Sequence, residues 1–255
     1  MFELLRLRIR HNRPVIKDLR RAGLHPSFRG FPLLASEKCT AGCSSCADLC
    51  PAGAIALAPL RLDLGKCTFC GECERACGKE ALRFSPGYRL GATSRAALII
   101  TAGQTEAAFQ EQAIEARKEI CRLFGRSLKL RQVSAGGCNG CEMELAACGN
   151  VNFDLGRFGI DFVASPRHAD GLVITGPLTR NMAPALADAY RSVSEPKIVI
   201  AVGACAISGG LFTDGGELDR SFLASAAVDL HVPGCPPHPL TFIHALLDFL
   251  GLEKS

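Results

Sequence analysis

Residues 39–51 read CTAGCSSCADLCP and residues 67–77 read CTFCGECERAC, and these two stretches decide the fold of the N-terminal part of the chain. Each holds four cysteines at the spacing with which one loop presents three thiolates to an iron–sulfur cubane. The runs repeat at roughly 27 residues, and each is followed by a short apolar stretch. The pattern predicts a small α+β unit over residues 35–90, held together by two clusters because so short a segment buries little core.

In two-cluster ferredoxins, the fourth cysteine of each run binds the other cluster. We therefore expect two [4Fe-4S] clusters, on group A (Cys39, Cys43, Cys46 and Cys77) and on group B (Cys50, Cys67, Cys70 and Cys73). Two details depart from the usual pattern. Three residues rather than two separate Cys39 from Cys43, and Gly78 stands at the position after the second run where a proline is usual. Zinc knuckles are the alternative, but they pair two Cys-x2-Cys units rather than triplets.

From residue 128 onward, short apolar runs alternate with helical stretches, which predicts a parallel sheet covered by helices on both faces. The last helix is apolar nearly all round, so we expect it to be buried. The expected strands are Leu128–Val133, Asp161–Ala164, Leu172–Thr175, Lys197–Val202 and Val228–Val232, and the expected helices are Glu142–Cys148, Ala183–Val193 and Leu240–Leu250.

Four more cysteines lie where these strands end, and we call them group C: Cys138, Cys141, Cys205 and Cys235. The first two follow a glycine-rich turn after a strand, and each of the others follows a later strand. Because parallel sheets bind ligands at the carboxyl ends of their strands, the four thiols should meet at one edge. Their spacing leaves a zinc ion and an iron–sulfur cluster equally open. In the zinc alternative, His231 and His238 are further candidate ligands.

The remaining segments carry less information. Residues 1–34 form a basic arm, in which apolar residues alternate with arginines over residues 5–10, as in an extended segment. Such an arm is either simply solvated or docks on an anionic membrane face or an acidic subunit. Residues 91–127 are expected to be a linker with one helix over Glu106–Leu123. A second domain is expected over residues 128–255.

Several motifs of the C-terminal half resemble one family. They are GCNGCEME (137–144), SPRHAD (165–170), GPLTRNMAPAL (176–186), GACA (203–206) and PGCPP (233–237). Residues 128–250 resemble the small subunit of membrane-bound, energy-converting [NiFe] hydrogenases, including formate hydrogenlyase. That subunit is homologous to the cluster-bearing quinone-site subunit of respiratory complex I. Residues 1–90 resemble the two-cluster ferredoxin subunit of the same complexes, including Phe28-Arg29-Gly30, so the chain looks like the two subunits fused.

The resemblance implies a flavodoxin-like domain that holds a third [4Fe-4S] cluster on group C. The chain would then relay electrons through three clusters, with no catalytic residue of its own. The implied partners are a hydrogenase large subunit, [NiFe]-bearing or nickel-free, the membrane subunits of the complex, and a soluble or subunit electron donor. A nickel-free, complex I-like quinone or ion-pumping oxidoreductase is the alternative, and a sensor or scaffold with purely structural clusters or zinc is another.

Two features qualify the resemblance. The two-residue gap between Cys138 and Cys141 is the hydrogenase form, whereas these ligands are adjacent in complex I. The segment between Cys205 and Cys235 is shorter than usual, which affects the expected partner contact there but not the ligands.

The amino-acid composition limits the classes of protein to which the chain can belong. A chain of 255 residues, 48% hydrophobic and 21% charged, has room for two small domains. It has no stretch of about 18 apolar residues that would cross a bilayer and no secretory signal pattern. We therefore expect a cytoplasmic protein, peripheral on the inner face of the membrane through partner subunits. Three oxidised clusters with thiolates would bring about −2 each and offset the formal charge of +4, so no nucleic-acid partner is expected.

Five residues near the motifs have weaker predictions. Glu144 matches a family glutamate that could relay protons, although its pattern favours an exposed helical residue. Arg167 and His168 match family residues at the interface with the large subunit, although an ordinary exposed loop is equally consistent with them. Cys121 and Cys148 have no ligand partners left and are expected to be small buried residues.

Overall fold

The structure is a computed structural model, which describes residues 2–11, 14–115 and 118–252. The strands are β1 Pro32–Leu34, β2 Ile55–Leu57, β3 Leu60–Asp63, β4 Leu82–Phe84, β5 Ile99–Thr101, β6 Leu128–Ser134, β7 Ile160–Phe162, β8 Gly171–Thr175, β9 Ile198–Val202 and β10 Leu230–Val232. The α-helices are α1 Phe2–His11, α2 Ser45–Asp48, α3 Glu72–Ala76, α4 Glu106–Ala113, α5 Lys118–Phe124, α6 Gly140–Ala147, α7 Ala183–Ser192, α8 Gly203–Ser208, α9 Ser221–Ser225 and α10 Pro239–Phe249.

The sequence repeat of the N-terminal unit is also a structural repeat. Helix α2 followed by β2, and α3 followed by β4, occupy equivalent places in the two copies. Strand β4 pairs antiparallel with β1, and β2 pairs antiparallel with β3. This arrangement confirms the ferredoxin-like α+β fold. Strand β1 lies within residues 1–34, so the expected arm contributes a strand to this unit.

The segment expected to be a linker is more structured than its composition suggested. Strand β5 adds to β3 as the third strand of the small sheet, with Ile100 fully buried. The single helix expected over Glu106–Leu123 is wrong, because α4 ends at Ala113 and a second helix, α5, begins at Lys118. Ile114 after α4 has an extended backbone, as suits its β-branched side chain. Part of the expected helix, residues 116–117, lies outside the described residues.

The C-terminal domain contains the expected parallel sheet. Its strand order is β7-β6-β8-β9-β10, and every neighbouring pair is parallel. Numbered within the domain this is the order 2-1-3-4-5 of flavodoxin-like folds. The central strands β8 and β9 are buried along their whole length, because helices cover both faces. Element ends agree with the sequence prediction to within about two residues, but the short helices α8 and α9 were not predicted.

The beginning of the arm is helical rather than extended, so that expectation was wrong. Residues 2–11 form α1, because leucine, arginine and glutamate are all strong helix formers and this propensity outweighs the short alternation. The large apolar side chains of Phe2, Leu4 and Ile9 are exposed on it. Among the helices that the structure describes, none is long and apolar enough to cross a membrane.

The later part of the arm is fastened to α10, which is buried as expected. The fully buried His244 places Nε2 2.8 Å from the carbonyl oxygen of Leu19, and the Tyr88 hydroxyl donates to the carbonyl of Ala22 at 2.6 Å. Asp248 forms ion pairs with Arg20 and with Arg89, at 2.9 Å each. Burial is the main cause that lowers the pKa of His244.

The buried histidine predicts a pH dependence of stability. Because its folded-state pKa lies below the unfolded value of about 6.5, the unfolded chain takes up the proton first. The contribution of neutral His244 is therefore present above about pH 6.5 and is lost as the pH falls. We expect His244→Gln to flatten the fall of the thermal unfolding midpoint between about pH 6.5 and 5. The exposed His25→Gln is the control, and an unchanged slope in His244→Gln would contradict the account.

Candidate iron–sulfur centres

Group A surrounds a small cavity in the N-terminal unit. Its four thiols line a space of about 50 Å³ together with Leu57 and Leu60. The pKa values of Cys39 and Cys46 are raised, first by burial and then by the neighbouring thiol of Cys77. The structure thus brings together three cysteines of the first run and the last cysteine of the second.

Backbone N–H groups donate hydrogen bonds to the sulfur of the fourth cysteine of each run. The N–H of Ala81 lies 3.2 Å from Sγ of Cys77, and the N–H of Ala54 lies 3.2 Å from Sγ of Cys50. Burial would raise the pKa of Cys77, but N–H groups of residues 79–82 outweigh it and lower the pKa. Such a turn of convergent N–H groups favours a thiolate, which is the form that binds iron.

Group B is more deeply buried. Burial raises the pKa of Cys67 to about 12 and that of Cys73 to about 11. The thiols of Cys50 and Cys70 raise both pKa values further, and the N–H of Phe69 partly offsets the effect at Cys67. These four cysteines therefore share one site, as the crossed ligand pattern predicts.

Group C lies at the carboxyl edge of the parallel sheet, where the strand order predicts a ligand site. Burial raises the pKa of Cys141 to about 12, with smaller contributions from Glu142 and the other three thiols. Burial also raises the pKa of Cys205 to about 11, followed by Cys235 and Cys138. Four cysteines from the three segments that follow β6, β9 and β10 therefore meet at this edge.

Glycine is required for the close packing of this edge. A Cβ atom at Gly203, where α8 begins, would lie 2.6 Å from Sγ of Cys141, and its φ of +89° also disfavours other residues. Gly136, in the turn after β6, has a φ of +88°, and a Cβ there would lie 2.5 Å from the Thr179 side chain. Gly203 thus allows Cys141 to lie against the start of α8, and Gly136 allows the first turn to pack against Thr179.

Thiols also influence each other between groups. The pKa of Cys73 is raised by burial, by its own group, and further by Cys46 of group A. The pKa of Cys235 is raised by burial, by Cys138 and further by Cys70 of group B. Cys70 and Cys235 also line the same cleft of about 390 Å³ between the two units. Group B therefore lies beside both group A and group C.

The donor sets suit iron–sulfur clusters. Each site offers four cysteine sulfurs, and backbone N–H groups point at several of them, as in cluster proteins. Within the described ranges, no three His, Cys, Asp or Glu side chains are grouped around a single-ion position, and the thiolates of a cubane each bind a different iron. Nδ1 of His238 accepts the N–H of Leu240 at 3.1 Å, and His231 is buried. The residues fit [4Fe-4S] clusters, and the ligand assignment itself stays a prediction.

Glu142 is a polar residue beside group C that the sequence did not single out. The Thr175 hydroxyl donates to its Oε1 at 2.6 Å. Burial opposes ionisation of Glu142, but hydrogen bonds from Ser134 and Thr175 lower its pKa. Its position beside Cys141 at the start of α6 was the available signal. Glu144 is half-buried, with a pKa raised by burial, so its expected exposure was wrong.

The other weaker predictions have mixed outcomes. Cys148 is fully buried, and burial raises its pKa to about 12, whereas Cys121 is half-buried. Arg167 and His168 are exposed on a 3-10 turn after β7. Their contact with a partner subunit stays a prediction.

Comparison with known proteins gives two family matches. Residues 138–249 match the family of the 20-kDa subunit of NADH ubiquinone oxidoreductase. Residues 60–83 match the 4Fe-4S binding domain. The two matches fall on group C and on the second cysteine run.

Three relatives illustrate the range of similar proteins. A probable membrane-bound hydrogenase subunit, mbhJ, of Pyrococcus furiosus is 40% identical over 136 residues, which cover 53% of this chain and 80% of the relative. Formate hydrogenlyase subunit 7 of Escherichia coli is 40% identical, over 57% of each chain. An NADH-quinone oxidoreductase subunit of Roseiflexus sp. is 45% identical, over 49% of this chain and 46% of the relative. The chain thus spans about half the length of the last two.

The packing at Gly203 predicts a specific lesion. In Gly203→Ala the new methyl group would displace Cys141, so we expect iron to fall by about four per chain while groups A and B keep theirs. Iron analysis of anaerobically purified protein measures this. Gly216→Ala is the matched control, because a Cβ there meets nothing within 4 Å. Full iron content in Gly203→Ala would contradict the placement of group C.

Proposed function

The chain belongs to the family of the 20-kDa subunit of NADH ubiquinone oxidoreductase, and on this premise we propose that it relays electrons through three [4Fe-4S] clusters to or from a redox site in a partner subunit. The observation that carries the proposal is the position of group B beside both A and C. If the clusters only stabilised the fold, group B would not need to lie next to both of the other groups.

The chain's own residues would hold the clusters, separate them from solvent and set their reduction potentials. When bound, a [4Fe-4S] cluster takes up and releases one electron without breaking a bond. Group A and group B cysteines would hold two clusters in the N-terminal unit, and group C cysteines would hold the third at the sheet edge. Buried surroundings and N–H groups directed at sulfur, such as those of Ala54 and Ala81, set the potentials. The catalytic site lies on the partner.

We propose a [NiFe] hydrogenase large subunit as that partner. The Pyrococcus relative is named a probable membrane-bound hydrogenase subunit and the Escherichia relative a formate hydrogenlyase subunit, and both names support this choice. The two-residue gap between Cys138 and Cys141, the hydrogenase form, supports it as well. Arg167 and His168, exposed beside the sheet, would contact the large subunit. The chain would sit on the inner face of the membrane through partner subunits and receive electrons from a soluble or subunit donor.

A nickel-free, complex I-like oxidoreductase is the second candidate. The Roseiflexus relative, named as a subunit of NADH-quinone oxidoreductase, favours it. The relay inside this chain would be the same, and the partner would act on a quinone or drive ion pumping.

Metal analysis of the anaerobically isolated native complex separates these functions. We expect about one nickel and at least about twelve irons per copy of this chain, because the proposed relay has three four-iron clusters. Iron at that level without nickel would favour the complex I-like partner. Iron near zero, or zinc in its place, would contradict the electron-transfer proposal altogether.

A further inference from the structure

The loop between Cys67 and Cys70 contains an unusual backbone conformation. Phe69 has a φ of +55°, in the left-handed region that bulky residues rarely adopt. Its ring packs against Phe84, with centroids 6.1 Å apart. Such a conformation persists only where the surroundings hold it in place.

Arg29 supplies a contact that holds this peptide. Its Nε–H donates to the carbonyl oxygen of Phe69 at 2.6 Å. The side chain then passes over Gly71, where a Cβ atom would lie 2.9 Å from Cδ of Arg29. Gly71 has a φ of +80°, so this position suits glycine on both counts. The guanidinium thus lies against the backbone on both sides of Cys70.

The other side of the Phe69 residue faces a sulfur of group B. The N–H of Phe69 donates to Sγ of Cys67 at 3.3 Å. Hydrogen bonds to cluster sulfurs stabilise the more negative, reduced state and so raise the reduction potential. The left-handed φ turns the chain at Phe69, so that its N–H stays on Cys67 while the next residue, Cys70, reaches the same group.

Arg29 is itself fixed by both units of the protein. The ring of Phe28 contacts the ring of His238 edge-on, at 5.8 Å between centroids, on the loop that follows Cys235. The N–H of Gly30 donates to the carbonyl of Ser85 at 2.8 Å. A Cβ at Gly30 would lie 1.9 Å from the carbonyl oxygen of Gly87, so this segment has little freedom.

We propose that Arg29 is a positioning residue, which holds Phe69 in the left-handed conformation so that its N–H bonds Cys67 and sets the potential of the group B cluster. The inference rests on the proposed function, because it requires a redox-active cluster on group B. It assigns a role to the Phe28-Arg29-Gly30 motif, which links the cysteine loop of group B to that of group C.

An EPR-monitored redox titration of the full complex with a chemical reductant tests this role. In Arg29→Gln we expect the reduction equilibrium constant of the group B cluster to fall about two- to tenfold. At 59 mV per tenfold for one electron, this is a shift of about 20 to 60 mV to more negative potential. The clusters of groups A and C should not shift. The group B signal is identified by its loss in Cys70→Ala, and Arg191→Gln, on the distant helix α7, is the control for loss of one charge.

A second variant, Phe69→Gly, separates a positioning effect of Arg29 from the effect of its charge. Glycine adopts a positive φ without strain, so Phe69→Gly removes the need for Arg29. We expect Arg29→Gln to change the potential much less in Phe69→Gly than in the natural chain. Equal shifts in both backgrounds would mean that Arg29 acts by charge alone, and no shift in either would mean that it has no such role. Both results overturn the inference while the proposed function stands, whereas absent clusters in the unmodified chain would overturn the proposed function.

Discussion

Burial of sulfur is the constraint on which the rest of this structure depends. Burial raises the pKa of Cys67 and Cys141 to about 12, so both thiols stay protonated at neutral pH unless iron takes the place of the proton. In group B, where every cysteine is buried or half-buried, four thiolates would also repel one another. The folded chain gathers its three cysteine groups with short turns, backbone N–H groups and glycines, and bound iron would supply the positive charge that offsets repulsion between thiolates.

The same constraint explains why two different folds are combined. A 27-residue repeat is too small to hold cysteines in buried positions alone, so the fourth cysteine of each copy, Cys50 or Cys77, lies with the first three cysteines of the other copy. In the C-terminal domain the topology of the parallel sheet brings the group C cysteines together, because the carboxyl ends of its strands meet at one edge. Packing of the two units across the cleft between Cys70 and Cys235 then places the second and third groups next to each other.

Spacing predicted which cysteines lie close together, because cubane geometry restricts local cysteine intervals and strand order restricts the distant ones. It predicted the sheet equally well, because buried strands such as β8 and β9 are continuous apolar runs. The alternation of apolar residues with arginines led to a wrong prediction of extended structure within residues 2–11, where helix propensity outweighed a pattern only a few residues long. Tertiary contacts decided the rest. Strand β5 forms because β3 offers a free edge, and the side chains of Glu142 and Arg29 are placed by contacts with Thr175 and Phe69, which are distant in sequence.

The central claim is that three clusters lie in a row with group B in the middle. Pulsed EPR of the fully reduced chain measures the magnetic coupling between each pair of clusters, which weakens with distance. We predict strong coupling of the group B cluster to each of the other two and the weakest coupling between groups A and C. Only two paramagnetic clusters, or a coupling between A and C stronger than that between B and C, would contradict the account.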